Sequence, residues 1–485
     1  MKGLGHAVVY SLGDLNLSMR PTRRDLLLSL AGVAAFARLG EARRMQGRRI
    51  VIIGGGMAGV ALAWLLDPHQ SDVTLLEARG VVGGNVQSVD VEVGGETISV
   101  DVGAQFFHPG PYPLYTALLA ELGLYPPDPV SGVGAHPFSA SITLAAGNEL
   151  LPRFVSPDLP GRAWPLLAGW NADGLAAFAT AFAAAKAREQ QNGSWALTLG
   201  DWLPTLGLTR EQWEGMILPW AASLFSGSIE QARGLSARAA MFFAAEALPP
   251  NPLDPIQYFA VKPSMGEVLR RLLEQSSMTQ VFTNARVRYV VRDALGTFHI
   301  GCDDGRMLVA DDVVFAASGP ATLRLLNGLA DTAPERAALR QIEFEFARLA
   351  IHGDPAYVPP NSNLWSFLNC RVDGPFCEVS MWMASVLGDG PASPAAGLWK
   401  SWATHRQLPS QLFHEAAFLH MLPTPATLAG QTALRARQGR NGVWYAGGYL
   451  FPYDAQETAL WSAVQVALGM GATSARSQQL LNGAH

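Results

Sequence analysis

"IVIIGGGMAGVAL", residues 50–62, decides the fold. The apolar run Ile50-Val51-Ile52-Ile53 predicts a buried strand, and the apolar residues from Met57 onward predict a helix. Between them, Gly54-x-Gly56-x-x-Gly59 has the spacing of a dinucleotide-binding turn. Gly54 permits the tight turn, Gly56 lets a pyrophosphate approach the backbone, and Gly59 lets helix and strand pack closely. Phosphates would then sit on the helix N-terminus, where free N–H groups and the helix dipole favour anions. An ordinary buried strand-to-helix turn is the alternative, and the next segment argues against it. A second apolar run, Asp72-Val73-Thr74-Leu75-Leu76, ends in Glu77, 23 residues after Gly54. An acidic residue about 20 positions on is what a ribose hydroxyl pair requires. The turn alone does not separate NAD from FAD.

Composition narrows the class. With 485 residues the chain exceeds one compact core, so two or three domains are expected. Hydrophobic residues make up 49% and charged residues 15%, the balance of a well-buried globular protein. The net charge of −5 offers no basic footprint, so no nucleic-acid partner is expected; the partner is a small-molecule substrate. Cys302, Cys370 and Cys377 form no CxxC pair, which argues against a zinc site or disulfide framework but leaves one bridge open. The ten histidines lack metal-ligand spacing, and His108, His352, His414 and His420 read as structural or surface residues. No metal is expected.

Residues 1–47 read as an address. Arg23-Arg24 precede an apolar stretch, Leu26 to Ala37, too short to span a bilayer, and Ala35-Phe36-Ala37 resembles a cleavage site. The paired arginines followed by Asp25-Leu26-Leu27 resemble a twin-arginine signal, so a periplasmic or otherwise exported protein is expected, with a cytoplasmic one as the alternative. That route carries folded proteins, which suits a cofactor loaded before crossing. Met19 is a second candidate start. A transient membrane contact is compatible with the apolar segments.

Further glycine-bearing strand ends follow. They are "LLEARGVVGG" with Gly83-Gly84, "ISVDVGAQFFHP" with Asp101 and Gly103, "VFTNARVRYVV", "ADDVVFAASGP", and "GVWYAGGYLFPYDAQETALWSAVQVALG" with Gly447-Gly448. Their order resembles the flavin-containing amine oxidoreductase superfamily, which includes amine oxidases, phytoene desaturases and protoporphyrinogen oxidase. The resemblance implies an α/β chain: a Rossmann-like FAD-binding domain of the glutathione-reductase type, plus an α+β substrate domain with a mixed or antiparallel sheet and helices. Residues 48–105, 260–325 and 435–478 would form the first, and 106–259 and 326–434 the second. It implies non-covalent FAD as cofactor.

By the same resemblance, Gly54, Gly56, Met57, Ala58 and Gly59 would meet the pyrophosphate and Glu77 the adenosine ribose. Ala78, Arg79, Gly83, Gly84 and Asn85 would line the ribityl-phosphate side, and Val287 would meet adenine through its backbone. Gly103, Ala104, Gln105 and Phe106, with Gly447 and Gly448, would lie toward the flavin. The helix around Glu457 and Thr458 would aim its N-terminus at the isoalloxazine, where reduction builds negative charge. Tyr449, Tyr453 and Trp461 are substrate-pocket candidates, with aromatic packing between domains as the equal alternative.

The chain also departs from that pattern. Amine oxidases of the superfamily commonly carry a lysine after the strand matching "VVFAASGP"; here Arg324 follows, and Lys2, Lys186, Lys262 and Lys400 are the only lysines. Where many carry a cage tyrosine in the final helix, the matching segment here reads Thr458-Ala459-Leu460-Trp461, and the covalent-flavin cysteine of monoamine oxidases has no counterpart just before Tyr445. The expected function is an FAD-dependent oxidoreductase taking hydride from an apolar substrate. An amine or amino-acid oxidase and a non-catalytic FAD-binding protein are the alternatives. No catalytic residue is assigned.

Elsewhere, residues 106–259 read as mostly helical, with an alanine-rich helix from Asn171 to Gln190 and a capping box at Thr209-x-x-Gln212. Residues 341–386 read as strand-rich, and 388–397 as a loop or hinge.

Overall fold

The computed structural model describes residues 45, 47–69, 71–147, 149, 151–156, 169–248, 256–387 and 392–484. The expected export segment, apart from residues 45 and 47, and residues 388–391 of the expected loop lie outside the described residues.

Arg49–Ile53 is the central strand of a five-stranded parallel sheet, flanked by Asp312–Phe315 and Asp72–Leu76. Val443–Tyr445 pairs beyond the first and Thr279–Phe282 beyond the second. A parallel strand covered on both faces needs a continuous apolar run rather than an alternating one. Ile50 to Ile53 supplies it, all four being buried. The helix Met57–Leu66 is apolar throughout and wholly buried. It packs against the sheet and the helix Gln456–Gly469.

Beside this sheet lies a three-stranded antiparallel one, Val287–Arg292, Phe298–Cys302 and Met307–Ala310. A separate seven-stranded sheet has the order Leu412–Leu422, Glu343–His352, Trp399–Trp402, Phe376–Trp382, Leu368–Asp373, Ile142–Ala146, Phe154–Val155. All its pairings are antiparallel except Leu368–Asp373 with Ile142–Ala146, so the sheet is mixed. The helices Gly169–Gln190, Leu218–Phe225 and Ala237–Ala247 share its apolar core.

Local expectations compare with this frame in detail. The alanine-rich helix runs Gly169–Gln190, and the Thr209 hydroxyl accepts from Gln212 N–H at 3.2 Å while the Gln212 amide oxygen accepts from Thr209 N–H at 2.9 Å. The strands Gly134–Ser139, Ile142–Ala146 and Phe154–Val155 interrupt a region that reads as helical. Pairing with Leu368–Asp373 holds "ITLAA" as a strand, because strand formation depends on neighbouring strands as well as on the β-branched Ile142 and Thr143. Cys302, Cys370 and Cys377 are all buried free thiols, so the bridge left open does not form. Among the described residues, no helix is long and apolar enough to cross a membrane, and no cluster of His, Cys, Asp or Glu has metal-binding geometry.

Candidate active site

One cavity of about 650 Å³ runs from the glycine turn to the seven-stranded sheet. Its first end is the turn itself. Gly54 has φ +119°, and a methyl group there would come within 2.5 Å of the Ala316 carbonyl, so the turn requires glycine. A methyl at Gly59 would come within 2.0 Å of the Gly54 carbonyl, which makes Gly59 the helix-to-strand packing residue. A methyl at Gly56 meets nothing nearer than Gly84 Cα at 3.5 Å, leaving that backbone open to an approaching group.

The helix Met57–Leu66 has no side-chain cap and no acidic residue in its first turn. Its N-terminal amides therefore face the cavity with their electropositive end uncompensated by the chain. Glu77 stands beside it, buried, one carboxylate oxygen accepting from Gly55 N–H at 2.9 Å and the other from Arg79 N–H at 2.9 Å. Carboxylate oxygens keep lone pairs for further donors, so a ribose diol remains compatible with this arrangement.

Most of the residues singled out in the sequence meet on this cavity: Gly54, Gly56, Met57, Ala58, Glu77, Ala78, Arg79, Gly84, Asn85, Gly103, Ala104, Gln105, Phe106, Val287, Gly447, Gly448, Tyr449 and Tyr453. Five others are not on its wall. Gly59 packs behind the turn, and Gly83 donates its N–H to the Gly55 carbonyl at 2.8 Å, tying the second glycine turn to the first. Trp461 packs against the core under the parallel sheet. Thr458 accepts from Ala455 N–H at 3.0 Å and donates to the Tyr453 carbonyl, closing the start of its helix. The Glu457 carboxylate faces the helix Pro113–Glu121, accepting from Leu114 and Tyr115 N–H. Burial pushes its pKa up to about 8.

Other cavity residues carry no motif and escaped the sequence. Tyr112, Phe243 and Tyr258 form an aromatic wall with Phe106 and Tyr453. His420, read from sequence as structural or surface, lines the far end between Phe225 and Trp402. Burial lowers its pKa, which favours the neutral imidazole. Gln456 and Gln105 direct their amide N–H groups at the sulfurs of Met265 and Met383. Asp454 lies on the wall next to Gly448.

A buried lysine stands directly behind the wall. Lys400, on a central strand of the seven-stranded sheet, donates to the Asp101 carbonyl at 2.8 Å and the Gly103 carbonyl at 2.7 Å. Burial lowers its pKa, and the nearby Asp101 opposes that shift. The Asp101 carboxylate accepts from Ser88 Oγ–H at 2.6 Å and Met265 N–H at 2.9 Å, and burial raises its pKa. The turn entering the wall segment Gly103–Phe106 is thus held from three elements.

A family model described as flavin containing amine oxidoreductase matches residues 57–345, more than half of the chain. The chain belongs to that family. The uncapped helix N-terminus, the open Gly56 and the Glu77 carboxylate suit the FAD that membership implies. Over 50 residues it is 40% identical to mitochondrial protoporphyrinogen oxidase of Nicotiana tabacum, a stretch covering 10% of each chain. Over 60 residues it is 43% identical to flavin-containing amine oxidase A of Canis lupus familiaris, covering 12% of this chain and 11% of that one. The matched stretches therefore span about a tenth of these relatives. Among solved structures, a putative protoporphyrinogen oxidase from Exiguobacterium sp. 255-15 superposes with TM-score 0.57 at 16% identity, covering 86% of this chain and 97% of that one. A redesigned putrescine oxidase superposes with TM-score 0.60 at 16% identity, covering 88% of this chain and all of the other. These likenesses establish a shared fold of mixed sheets and helices.

Proposed function

We propose that the chain moves hydride from an apolar organic substrate to flavin N5, as a dehydrogenase, desaturase or isomerase. The observation that carries this reading is the lining of the cavity beyond Gly447 and Gly448. Phe182, Trp220, Leu224, Phe225, Trp402 and Phe418 enclose its far end, and no lysine is among the lining residues described. Enclosed apolar walls with few polar groups suit an apolar ligand. The bound flavin supplies the two-electron acceptor, while the protein orients the substrate and excludes water.

Non-covalent FAD would lie along Gly54–Ala58, Glu77–Arg79 and Gly84–Asn85, toward Gly103–Phe106 and Gly447–Gly448. The parallel strand order supports reading this part as a Rossmann-like domain of the glutathione-reductase type. All five of its strands fall within residues 48–105, 260–325 and 435–478, and five of the seven strands of the other sheet fall within 326–434. The chain's own contribution to turnover is positional. Lys400 and Asp101 hold the turn that leads into the Gly103–Phe106 wall.

Anaerobic mixing of the FAD-loaded protein with fatty-acid, isoprenoid and amine panels tests this reading. Bleaching of the flavin by a member of the apolar panels is expected. Bleaching by an amine, with every apolar compound inert, overturns it.

A further inference from the structure

His420 is a polar residue in the most apolar part of the cavity. It lies half-buried on the edge strand Leu412–Leu422. Its imidazole stands between two rings of the same wall, Phe225 at 5.9 Å and Trp402 at 5.9 Å, inclined to them by 25° and 33°. Phe182, Trp220, Leu224 and Phe418 complete this end, and none of them offers a charge. Packing alone does not call for a histidine here, since a third apolar ring would fill the place without burying a polar nitrogen.

The state of the ring decides what it can bind. Burial disfavours the imidazolium, so the ring is held neutral, with one N–H and one lone pair. The Phe225 carbonyl faces the ring and favours a proton on it, which engages the N–H. No donor among the described residues bonds the ring, and Nδ1 has no hydrogen-bond partner. The lone pair is therefore the open group. The charged and titratable neighbours are engaged elsewhere. Glu345 stands opposite His420 in strand register, with its carboxylate accepting from Gln231 Nε2–H at 2.9 Å. Lys400, on the strand that carries Trp402, is bonded to the Asp101 and Gly103 carbonyls, and His405 Nε2 lies 3.1 Å from the Ser226 carbonyl.

A lone pair in an apolar recess recognises a hydrogen-bond donor. An ammonium would carry its charge into this end without a counter-charge, because the carboxylates on the described wall are Glu77, at the glycine turn, and Asp454, beside Gly448. A carboxylate would need the imidazolium that burial opposes. A hydroxyl donates without charge.

We propose that His420 sets specificity at the far end of the cavity by accepting a hydrogen bond from a hydroxyl on the tail of an otherwise apolar substrate. This rests on the apolar-substrate reading above and adds the polar group such a substrate bears at the end remote from the glycine turn.

The test uses the FAD-loaded full chain, titrated calorimetrically with octan-1-ol and with its isomer 1-methoxyheptane, which accepts hydrogen bonds but donates none. Wild type, His420→Phe and His420→Gln are compared, with FAD content and Tm recorded for each. The alcohol-to-ether affinity ratio is expected to be about fivefold higher in wild type than in His420→Phe, the scale of one neutral hydrogen bond. His420→Gln keeps an acceptor and is expected to retain part of that excess. In wild type the ratio is expected to hold at about pH 8 and to be lost only below 6.5, the ordinary imidazole value, because protonation removes the lone pair. This arm needs no variant and stands even where His420→Phe does not fold. A ratio that rises on acidification overturns the assignment. Octanoate or octylamine bound more tightly than octanol, with the excess abolished in His420→Phe, overturns it in favour of an ionic site. Binding of alcohol and ether with the same ratio in every variant removes the role of His420 and leaves the apolar-substrate reading standing, whereas binding of neither removes both.

Discussion

The Glu457 carboxylate accepts a hydrogen bond from the backbone N–H of Tyr115 at 2.7 Å, across 342 residues of sequence. Its other oxygen accepts from Leu114 N–H at 3.1 Å, so one side chain of the helix Gln456–Gly469 caps the helix Pro113–Glu121. That helix has no side-chain cap from its own N-cap residue and begins at Pro113, whose nitrogen carries no hydrogen. When ionised, Glu457 supplies the negative charge that a helix N-terminus favours.

Burial nonetheless pushes Glu457 up to about 8, above the ~4.3 of an unfolded glutamate. The folded state thus favours the protonated form. The stabilisation from this shift is complete below the unfolded value and is lost as pH rises through the folded one. Glu457→Gln imitates the protonated side chain but cannot accept from both amides. Its Tm is expected to lie below wild type at about pH 5, with the difference shrinking toward about pH 9. Thermal melts across that range check this, and a constant difference would refute the shift.

The glycine turn separates folding from cofactor binding. Gly59→Ala places a methyl 2.0 Å from the Gly54 carbonyl and should destabilise the chain by about 1–3 kcal/mol, as overpacking does. Gly56→Val points its bulk at the open cavity side and should fold normally while losing FAD. Denaturant melts, far-ultraviolet dichroism and the bound-flavin spectrum distinguish the two. A fully yellow Gly56→Val protein would remove the pyrophosphate role.

How much of this was legible in the sequence follows from the range of each constraint. The Gly54 turn and Glu77 could be read directly because strand, turn, helix and acid all lie within residues 49–77. Gly83 and Gly84 were legible for the same reason, although only Gly84 reaches the cavity. The partner of Glu457 was not legible, because nothing near residue 457 records that a helix begins at Pro113. Lys400 sits between two tryptophans in "LWKSW", a pattern that gives no sign of two carbonyls some 300 residues earlier.

The three thiols make a further check on the core. Cys302, Cys370 and Cys377 are buried and free, and burial pushes Cys370 up to about 11. A thiol reacts through its thiolate, so burial and a raised pKa both suppress reaction. An aromatic disulfide reagent at neutral pH should label none of them in the native protein within minutes, and all three in guanidinium. Fewer than three after denaturation under non-reducing conditions would reveal a bridge the structure does not contain.

Lys400 gives the most direct test of how the cavity wall is held. Its amine is fully buried and bonded to the Asp101 and Gly103 carbonyls, just before Ala104, Gln105 and Phe106 enter the cavity. Lys400→Met keeps the length and apolar stem but leaves both carbonyls buried and unmet. Stability should fall by about 2–5 kcal/mol, the sum of two unsatisfied buried acceptors. Stability loss alone is common to any damaged core. The specific consequence is displacement of the Gly103–Phe106 wall, which we propose faces the flavin, so the visible bands of FAD bound to the folded variant should shift and FAD should dissociate faster. A Lys400→Met protein that is destabilised yet holds FAD with an unchanged spectrum and off-rate would make Lys400 a support of the core and not of the site.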